Sequence, residues 1–222
     1  METVIVSLGG SLIVPDAIDK TFLKKFRTLI LSLPQKFVIV TGGGKTCREY
    51  NDAAKAFTKP KPDDLDWMGI AATRLNAELV RVLFGKKAYK EVVENPTKKV
   101  LVKQKILVAC GWKPGCSSDM DAVLWAKTFG AKKMFNLSNT LGVYSADPKK
   151  DSRAVLLDTI SWKDYRKMIG NKWSPGLNTP FDPTASRKAD QLKLEVVVAK
   201  GTNLANVKKA LTGKPFKGTL IS

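Results

Sequence analysis

The 222 residues carry 38 Lys and Arg against 20 Asp and Glu, a formal charge of +18, and are 44% hydrophobic. That composition supports one substantial core and excludes a disordered or repeat-built chain; the charge suits anionic ligands, nucleic acid or acidic membranes without choosing among them, and the scattered lysines read first as a solvated surface. There is no histidine, so Ser-His-Asp triads, Cys-His pairs and phosphohistidine intermediates are excluded, and catalysis must rest on positioning, Lys and Arg charge, carboxylates and a metal.

Residues 4–8 read as a short buried strand that runs into Gly9-Gly10-Ser11. Over 19–33, Phe22, Leu23, Phe26, Leu29, Ile30 and Leu33 share one helix face, and Pro34 ends it. The strand at 37–40 breaks into Thr41-Gly42-Gly43-Gly44-Lys45 and then a helix over 46–57. Strand, helix and strand in this order predict a parallel sheet with right-handed crossovers. Glycines let backbone N–H groups approach an anion, the following helix points its positive end at the same place, and Lys45 and Arg48 add charge. A Walker A loop ending at Lys45-Thr46 would need glycine at position 39, which is Ile39, so this is not a P-loop. A strand-to-helix turn with no ligand has the same sequence signature. The strand-then-glycine design occurs after both strands, implying two anionic groups.

After a polar loop at 58–64, Leu65, Met68, Ala72, Leu75, Leu79 and Leu83 mark a long helix and its expected core stripe. Asp66, Trp67 and Arg74 lie off that stripe, and Asp66 alone reads as a first-turn carboxylate facing the helix dipole. The strand at 105–110 ends in a glycine-containing loop where Ser117, Ser118 and Asp119 open a helix reaching Phe129. Those three are either ordinary N-caps or groups that bind a polar ligand or arrange a metal. A strand at 133–137 leads into a polar loop over 138–148. A helix over 161–170, an irregular segment over 170–183 that is either a flap or an oligomer contact, a helix over 184–192, a strand over 194–199, a helix over 203–211 and a final edge strand over 219–221 complete the chain. Cys47, Cys110 and Cys116 show no Cys-x-x-Cys spacing, and no apolar run approaches membrane-spanning length, so a soluble, cytoplasmic protein is expected.

Taken together, Gly9-Gly10-Ser11, Gly42-Gly43-Gly44-Lys45 with Arg48, Pro114-Gly115 leading to Ser118-Asp119, and Ser138-Asn139 with Gly142-Val143-Tyr144 and Asp147-Pro148 resemble the amino acid kinase superfamily. Within it the likeness is to the archaeal-type uridylate kinases, and it runs over residues 4–221. The resemblance implies one domain, a three-layer α/β/α sandwich with a mainly parallel central sheet, with the acceptor nucleotide on about residues 1–130 and ATP on about 131–222. It implies a homohexamer and direct transfer of the γ-phosphoryl of Mg-ATP to UMP, with Mg²⁺ arriving on ATP and no direct protein ligand to the metal. Nucleic acid would bind only nonspecifically, and no membrane partner is expected.

Position by position, the resemblance implies that Gly9 and Gly10 hold ATP phosphates, that Gly43 and Gly44 lie between UMP and ATP, and that Arg48 binds phosphate at the transfer site. Asp66 would accept the ribose hydroxyls of UMP, and Trp112, Lys113, Pro114, Gly115, Cys116, Ser117 and Ser118 would wrap its uracil and ribose. Asp119 would orient cationic groups or Mg²⁺, and Ser138, Asn139, Tyr144 and Asp147 would contact the ATP nucleoside. Lys45 and Lys113 are further charge donors by residue type alone. This chain departs from the family where many members have lysine just before the first glycines and it has Ser7, and where Asn-Val-Asp-Gly-Val-Tyr becomes Asn139-Thr140-Leu141-Gly142-Val143-Tyr144. Those departures keep open a non-catalytic nucleotide or oxyanion binder on the same fold, and a kinase of another small phosphate or carboxylate.

Overall fold

The computed structural model describes residues 3–148, 150–170 and 179–222. Strand β1 (Thr3–Leu8) is followed by a one-turn helix α1 (Gly10–Ile13), helix α2 (Lys20–Ser32), strand β2 (Lys36–Thr41), and the helices α3 (Gly44–Phe57) and α4 (Pro62–Phe84). Then come β3 (Ile106–Ala109), α5 (Ser118–Phe129), β4 (Lys133–Ser138), β5 (Thr159–Ile160), α6 (Trp162–Ile169), α7 (Pro183–Gln191), β6 (Glu195–Lys200), α8 (Leu204–Leu211) and β7 (Thr219–Ile221). The seven strands form one sheet in the order β3-β2-β1-β4-β6-β7-β5, parallel throughout except for β6 against β7.

Side chains alternate across this sheet, and both faces are buried, as a parallel sheet requires. From β1, Val4, Val6 and Leu8 enter one apolar cluster with Phe26 and Ile30 of α2, Val80 of α4 and Val207 of α8. Ile5, pointing the other way, joins Val38, Trp125 of α5, Tyr165 of α6 and Ala185 of α7. The result is the expected α/β/α sandwich. Because neighbouring strands run the same way, the loops after β3, β2, β1 and β4 leave from one edge of the sheet, in that spatial order. The chain winds outward from β1 to β3 and then crosses to β4 on the other side, so this edge is a topological switch point.

Several local expectations are corrected. The terminal strand β7 is not an edge strand: it lies between β6 and β5, and the two-residue β5, too short to show periodicity, takes the edge. Helix α3 starts at Gly44 rather than residue 46. Helix α4 starts at Pro62, with Asp63 and Asp64 in its first turn and Asp64 Oδ2 accepting the Lys61 N–H at 3.1 Å, which moves Asp66 into the second turn. Its buried face is Ala72, Thr73, Asn76, Ala77, Val80 and Phe84, so only Ala72 of the expected stripe is fully buried and Leu75 is 65% exposed. Thr73 and Asn76 on this face hydrogen-bond backbone, while Ala77, Val80 and Phe84 enter the apolar cluster on that side of the sheet. Of the irregular segment expected over 170–183, residues 171–178 lie outside the described residues; beyond them Phe181 is fully buried, and the Tyr165 hydroxyl donates to Phe181 O and accepts from Phe181 N.

At the opposite end of the sheet from the switch point, Lys105 Nζ donates to Leu31 O at 2.9 Å and also to Leu33 O, closing the C-terminus of α2 with a positive charge. Burial, and secondarily Lys87, pull the pKa of this ammonium down. Lys105→Met keeps most of the apolar stem and strands both carbonyls. Urea unfolding is expected to show a loss of about 1–2 kcal/mol; an unchanged midpoint would mean that water serves those carbonyls as well.

Candidate active site

The turns after β1 and β2 touch each other. Leu8 and Thr41 are in register, Gly42 N donates to Leu8 O at 3.0 Å, and Lys45 N donates to Val14 O at 2.9 Å. A Cβ on Gly10 would stand 2.0 Å from Gly44 N, and one on Gly42 would stand 2.5 Å from Gly10 N. Gly44 also has φ +67°, a region that side-chain-bearing residues avoid. Among the described residues, the N–H groups of Gly10, Ser11, Gly43 and Gly44 have no protein acceptor. The two expected anion turns are therefore one composite cradle of backbone donors. Gly9 N is instead used in the fold, donating to Leu137 O at 2.8 Å.

Lys45 and Arg48 leave this cradle differently equipped. Lys45 Nζ sits 3.3 Å from Asp16 Oδ1 and 3.6 Å from Glu49 Oε1, and the hydrogen bond and charge of Asp16 raise its pKa. Arg48 is exposed and makes no ion pair or side-chain hydrogen bond among the described residues. Arg48 is thus the available guanidinium at the start of α3, whereas Lys45 must leave two carboxylates to reach a ligand.

Beside the cradle, a cavity of about 210 Å³ opens among Ser7, Gly9, Ser11, Asp119, Ser138 and Asn139, with Ser118 also on its wall. Ser7 is 2% exposed and its hydroxyl donates to Asp119 Oδ1 at 3.4 Å. The other Asp119 oxygen accepts the Asp182 N–H at 3.2 Å. Burial first, and the neighbouring Asp182 carboxylate second, push Asp119 up to about 7, against the pull of those two hydrogen bonds. A second cavity, about 340 Å³, is lined by Tyr144 and Asp147 and shares Thr140, Thr179 and Pro180 with the first. The residues expected around ATP are thereby divided between two adjoining spaces, Ser138 and Asn139 in one and Tyr144 and Asp147 in the other.

The loop from Gly111 to Ser118 is pinned at four points. Gly111 N donates to Thr73 Oγ1 at 2.9 Å, Trp112 N to Asp121 Oδ2 at 3.2 Å, Gly115 N to Asp66 Oδ2 at 2.8 Å, and Ser117 Oγ to Asp182 Oδ2. Ser117 also caps α5 by accepting the Met120 N–H at 3.1 Å, so the N-cap reading was right for it and incomplete. Lys113 Nζ lies 4.2 Å from the centre of the Trp112 ring, a cation–π contact. Pro114 precedes Gly115, which turns the loop at φ +78°. Cys116 and Cys47 have thiols raised by burial, and burial pushes Cys110 up to about 12, so none is a thiolate at neutral pH.

A glycine cradle at the switch point of such a sheet, flanked by loops of this kind, has close counterparts. The model of the amino acid kinase family matches residues 2–200. The chain belongs to the amino acid kinase family. A curated uridylate kinase of Methanospirillum hungatei is 33% identical over all of this chain and 95% of that protein, and one of Thermoplasma volcanium is 33% identical over 99% of this chain and 97% of that protein. Among solved structures, uridylate kinase from Archaeoglobus fulgidus superposes with a TM-score of 0.85 at 32% identity over the full length of both chains. UMP kinase from Bacillus anthracis superposes with a TM-score of 0.79 at 19% identity, which shows the shared fold.

Three residues that shape this amino acid kinase site carry no glycine-motif signature. Asn76 and Thr73 sit on the inner face of α4, Asn76 donating to Gly42 O and Gly43 O and Thr73 accepting Gly111 N while its carbonyl accepts from the Thr41 hydroxyl. Polar residues three apart within an apolar helix were the available signal, since a buried amide or hydroxyl must find a partner. Asp121 is fully buried; its Oδ1 has no hydrogen-bond partner among the described residues, and burial, then the Asp182 and Asp119 charges, push it up to about 8.

Asp121 and Asp119 bind protons more tightly folded than unfolded, from about 3.8 up to about 8 and 7. Through that window the native state carries more protons than the unfolded chain, so both groups subtract stability as pH rises. Asp121→Asn retains an oxygen for the Trp112 N–H and cannot ionise. Denaturant midpoints are expected to fall between pH 5 and pH 8 less steeply in Asp121→Asn than in the parent, and parallel profiles would contradict the buried-carboxylate account. Gly10→Ala places its methyl against backbone that cannot yield, with a stability cost of about 1–3 kcal/mol. Calorimetric titration is expected to show ADP affinity lost as well, and unchanged affinity would remove Gly10 from the cradle.

Proposed function

We propose that this protein is a UMP kinase that transfers the γ-phosphoryl of Mg-ATP directly to UMP, giving UDP and ADP, in cytoplasmic pyrimidine nucleotide biosynthesis. The observation that carries the reading is the order of loops along the switch-point edge. The 111–118 loop follows β3, the two glycine turns follow β2 and β1, and the Ser138-Asn139 loop follows β4. An acceptor nucleotide on the first, phosphates on the second and third and ATP on the fourth is the arrangement a direct, in-line transfer needs. The kinship to uridylate kinases over the full chain supports UMP as the acceptor.

In this reading a UMP phosphate oxygen attacks the γ-phosphorus as its bond to the β,γ-bridging oxygen breaks, and that oxygen leaves on ADP. The amides of Gly10, Ser11, Gly43 and Gly44 offset charge on the phosphoryl oxygens, and Arg48 supplies the mobile cation. Asp66, already holding Gly115, keeps one oxygen for the acceptor ribose. Trp112 through Ser118 enclose the uridine, and Tyr144 and Asp147 receive the ATP nucleoside. Mg²⁺ enters as part of the substrate, on the ATP phosphates. The chain then divides functionally near residue 130, with acceptor contacts mainly before it and ATP nucleoside contacts after it. Exposed Tyr50, Phe57, Trp67, Leu75 and Val82 on α3 and α4 support burial of that face in a homo-oligomer, for which the family resemblance suggests a hexamer. No helix among the described residues is long and apolar enough to cross a membrane.

Ser7 supports a second reading. Where a lysine would meet the transferred group, a buried hydroxyl is spent on Asp119, which suits a protein that binds nucleotide without transferring phosphate. Incubation with Mg-ATP and, separately, UMP, CMP, dUMP, AMP and GMP distinguishes the two. UDP from UMP, with little product from the purines, is the expected result; bound nucleotide with no transfer to any acceptor would select the binder. Arg48→Ala is expected to lower kcat by about 10²-fold or more, as loss of a transition-state cation does, with little change in melting temperature because its side chain is exposed and unpaired. Equal, large losses of both would make Arg48 structural.

A further inference from the structure

Asn76 is 3% exposed on the inner face of α4, and its single Nδ2 donates to Gly42 O at 2.8 Å and to Gly43 O at 3.1 Å. The peptide bonds here are trans, and in a trans peptide the carbonyl and the N–H of the same unit point in opposite directions. Drawing Gly42 O and Gly43 O towards α4 therefore turns the N–H groups of Gly43 and Gly44 away from α4. Gly44 N is the atom that a Cβ on Gly10 would strike, so this turn is directed at the opening between the two glycine loops. Gly43 O also accepts the Cys47 N–H, at 3.4 Å, whereas among the described residues Asn76 is the donor to Gly42 O, and glycine has no strong preference of its own between this orientation and a flipped one. A flipped peptide would present a carbonyl oxygen, and its partial negative charge, to a phosphate.

We propose that Asn76 is a positioning residue for phosphoryl transfer: it fixes the two successive glycine peptides with their amides towards the anion, and so supplies half of the backbone donors of the cradle without touching the ligand. The same helix holds the acceptor loop through Thr73, about one turn before Asn76, and Asp66, nearly three turns before it, so α4 sets both loops from one rigid element. The inference rests on the kinase reading for its catalytic consequence and on the hydrogen-bond geometry alone for its anion-binding consequence.

The test compares Asn76→Ala with Val80→Ala, which opens a cavity in the same helix away from the glycine loops. Both are expected to melt lower than the parent. At a temperature where all three are folded, ADP is titrated while the amide resonances of Gly43 and Gly44 are followed by NMR, and UDP formation is measured in parallel. The parent and Val80→Ala are expected to show ADP-dependent shifts of both amides. Asn76→Ala is expected to lose those shifts and to lose about tenfold or more in kcat. Shifts and kcat retained in Asn76→Ala would overturn the proposal and leave Asn76 a role in stability only, and so would a parent whose Gly43 and Gly44 amides do not respond to ADP. A parent whose amides respond but which makes no UDP would overturn the kinase reading, with the role of Asn76 then decided by the amide shifts. Should Asn76→Ala not fold, Asn76→Asp, of equal size but lacking the two donors, takes its place.

Discussion

Two backbone turns approach each other at the ends of β1 and β2 more closely than any side chain permits, and the site depends on that approach. Only glycine at positions 10, 42 and 44 lets the turns meet: a Cβ on Gly10 would strike Gly44 N, one on Gly42 would strike Gly10 N, and one on Gly44 would strike Gly10 O. The parallel pairing of β1 with β2 brings the turns side by side, and the Gly42 to Leu8 hydrogen bond fixes their separation. The donors are then present before any ligand arrives, which is the condition under which backbone dipoles stabilise developing charge without reorganising.

The surrounding elements keep that cradle and the neighbouring loops in place. Helix α4 braces the glycine turn after β2 with Asn76 and the 111–118 loop with Thr73 and Asp66. Asp182 links the two sides of the switch point: its Oδ1 caps α7 by accepting the N–H groups of Thr184 and Ala185, its Oδ2 accepts from Ser117 in the acceptor loop, and its own N–H reaches Asp119. Burial first, and the charge of the neighbouring Asp182 carboxylate after it, keep protons on Asp119 and Asp121 to about neutral pH. Under the proposed function, cations and backbone donors offset the phosphate charge, so the histidine-free composition is no obstacle to transfer chemistry.

Legibility in the sequence followed the side chain's need for a particular place. Glycine turns after β-branched runs leave a mark because no other residue fits, and so the two turns, the parallel sheet and the family resemblance were readable, whereas the contact that joins the turns into one cradle was not. The stripe expected on α4 was right for Ala72, and for Leu79 and Leu83, which pack against the core, but it took in exposed Leu75 and missed Thr73 and Asn76, which face inward to bond backbone. Strand order is set by crossovers and packing rather than by local pattern, which is why β7 was placed at an edge that belongs to the two-residue β5. The partners of Lys45 illustrate a further limit: a lysine beside a glycine turn has the right charge for phosphate, but Asp16, distant in sequence, also claims it. Asp121 gave no sign of its burial, because an acid in a helix's first turn is ordinary on a surface.

The central claim is that one composite cradle at the switch point receives the phosphates, with uridine and adenosine on opposite sides. A crystal structure with a bisubstrate compound, adenosine and uridine joined through a phosphate chain, tests it most directly. The account predicts bridging phosphate oxygens within hydrogen-bond distance of the amides of Gly10, Ser11, Gly43 and Gly44, uridine against the 111–118 loop, and adenosine in the cavity lined by Tyr144. Phosphates bound away from those four amides, or both nucleosides on one side of the glycine turns, would contradict it.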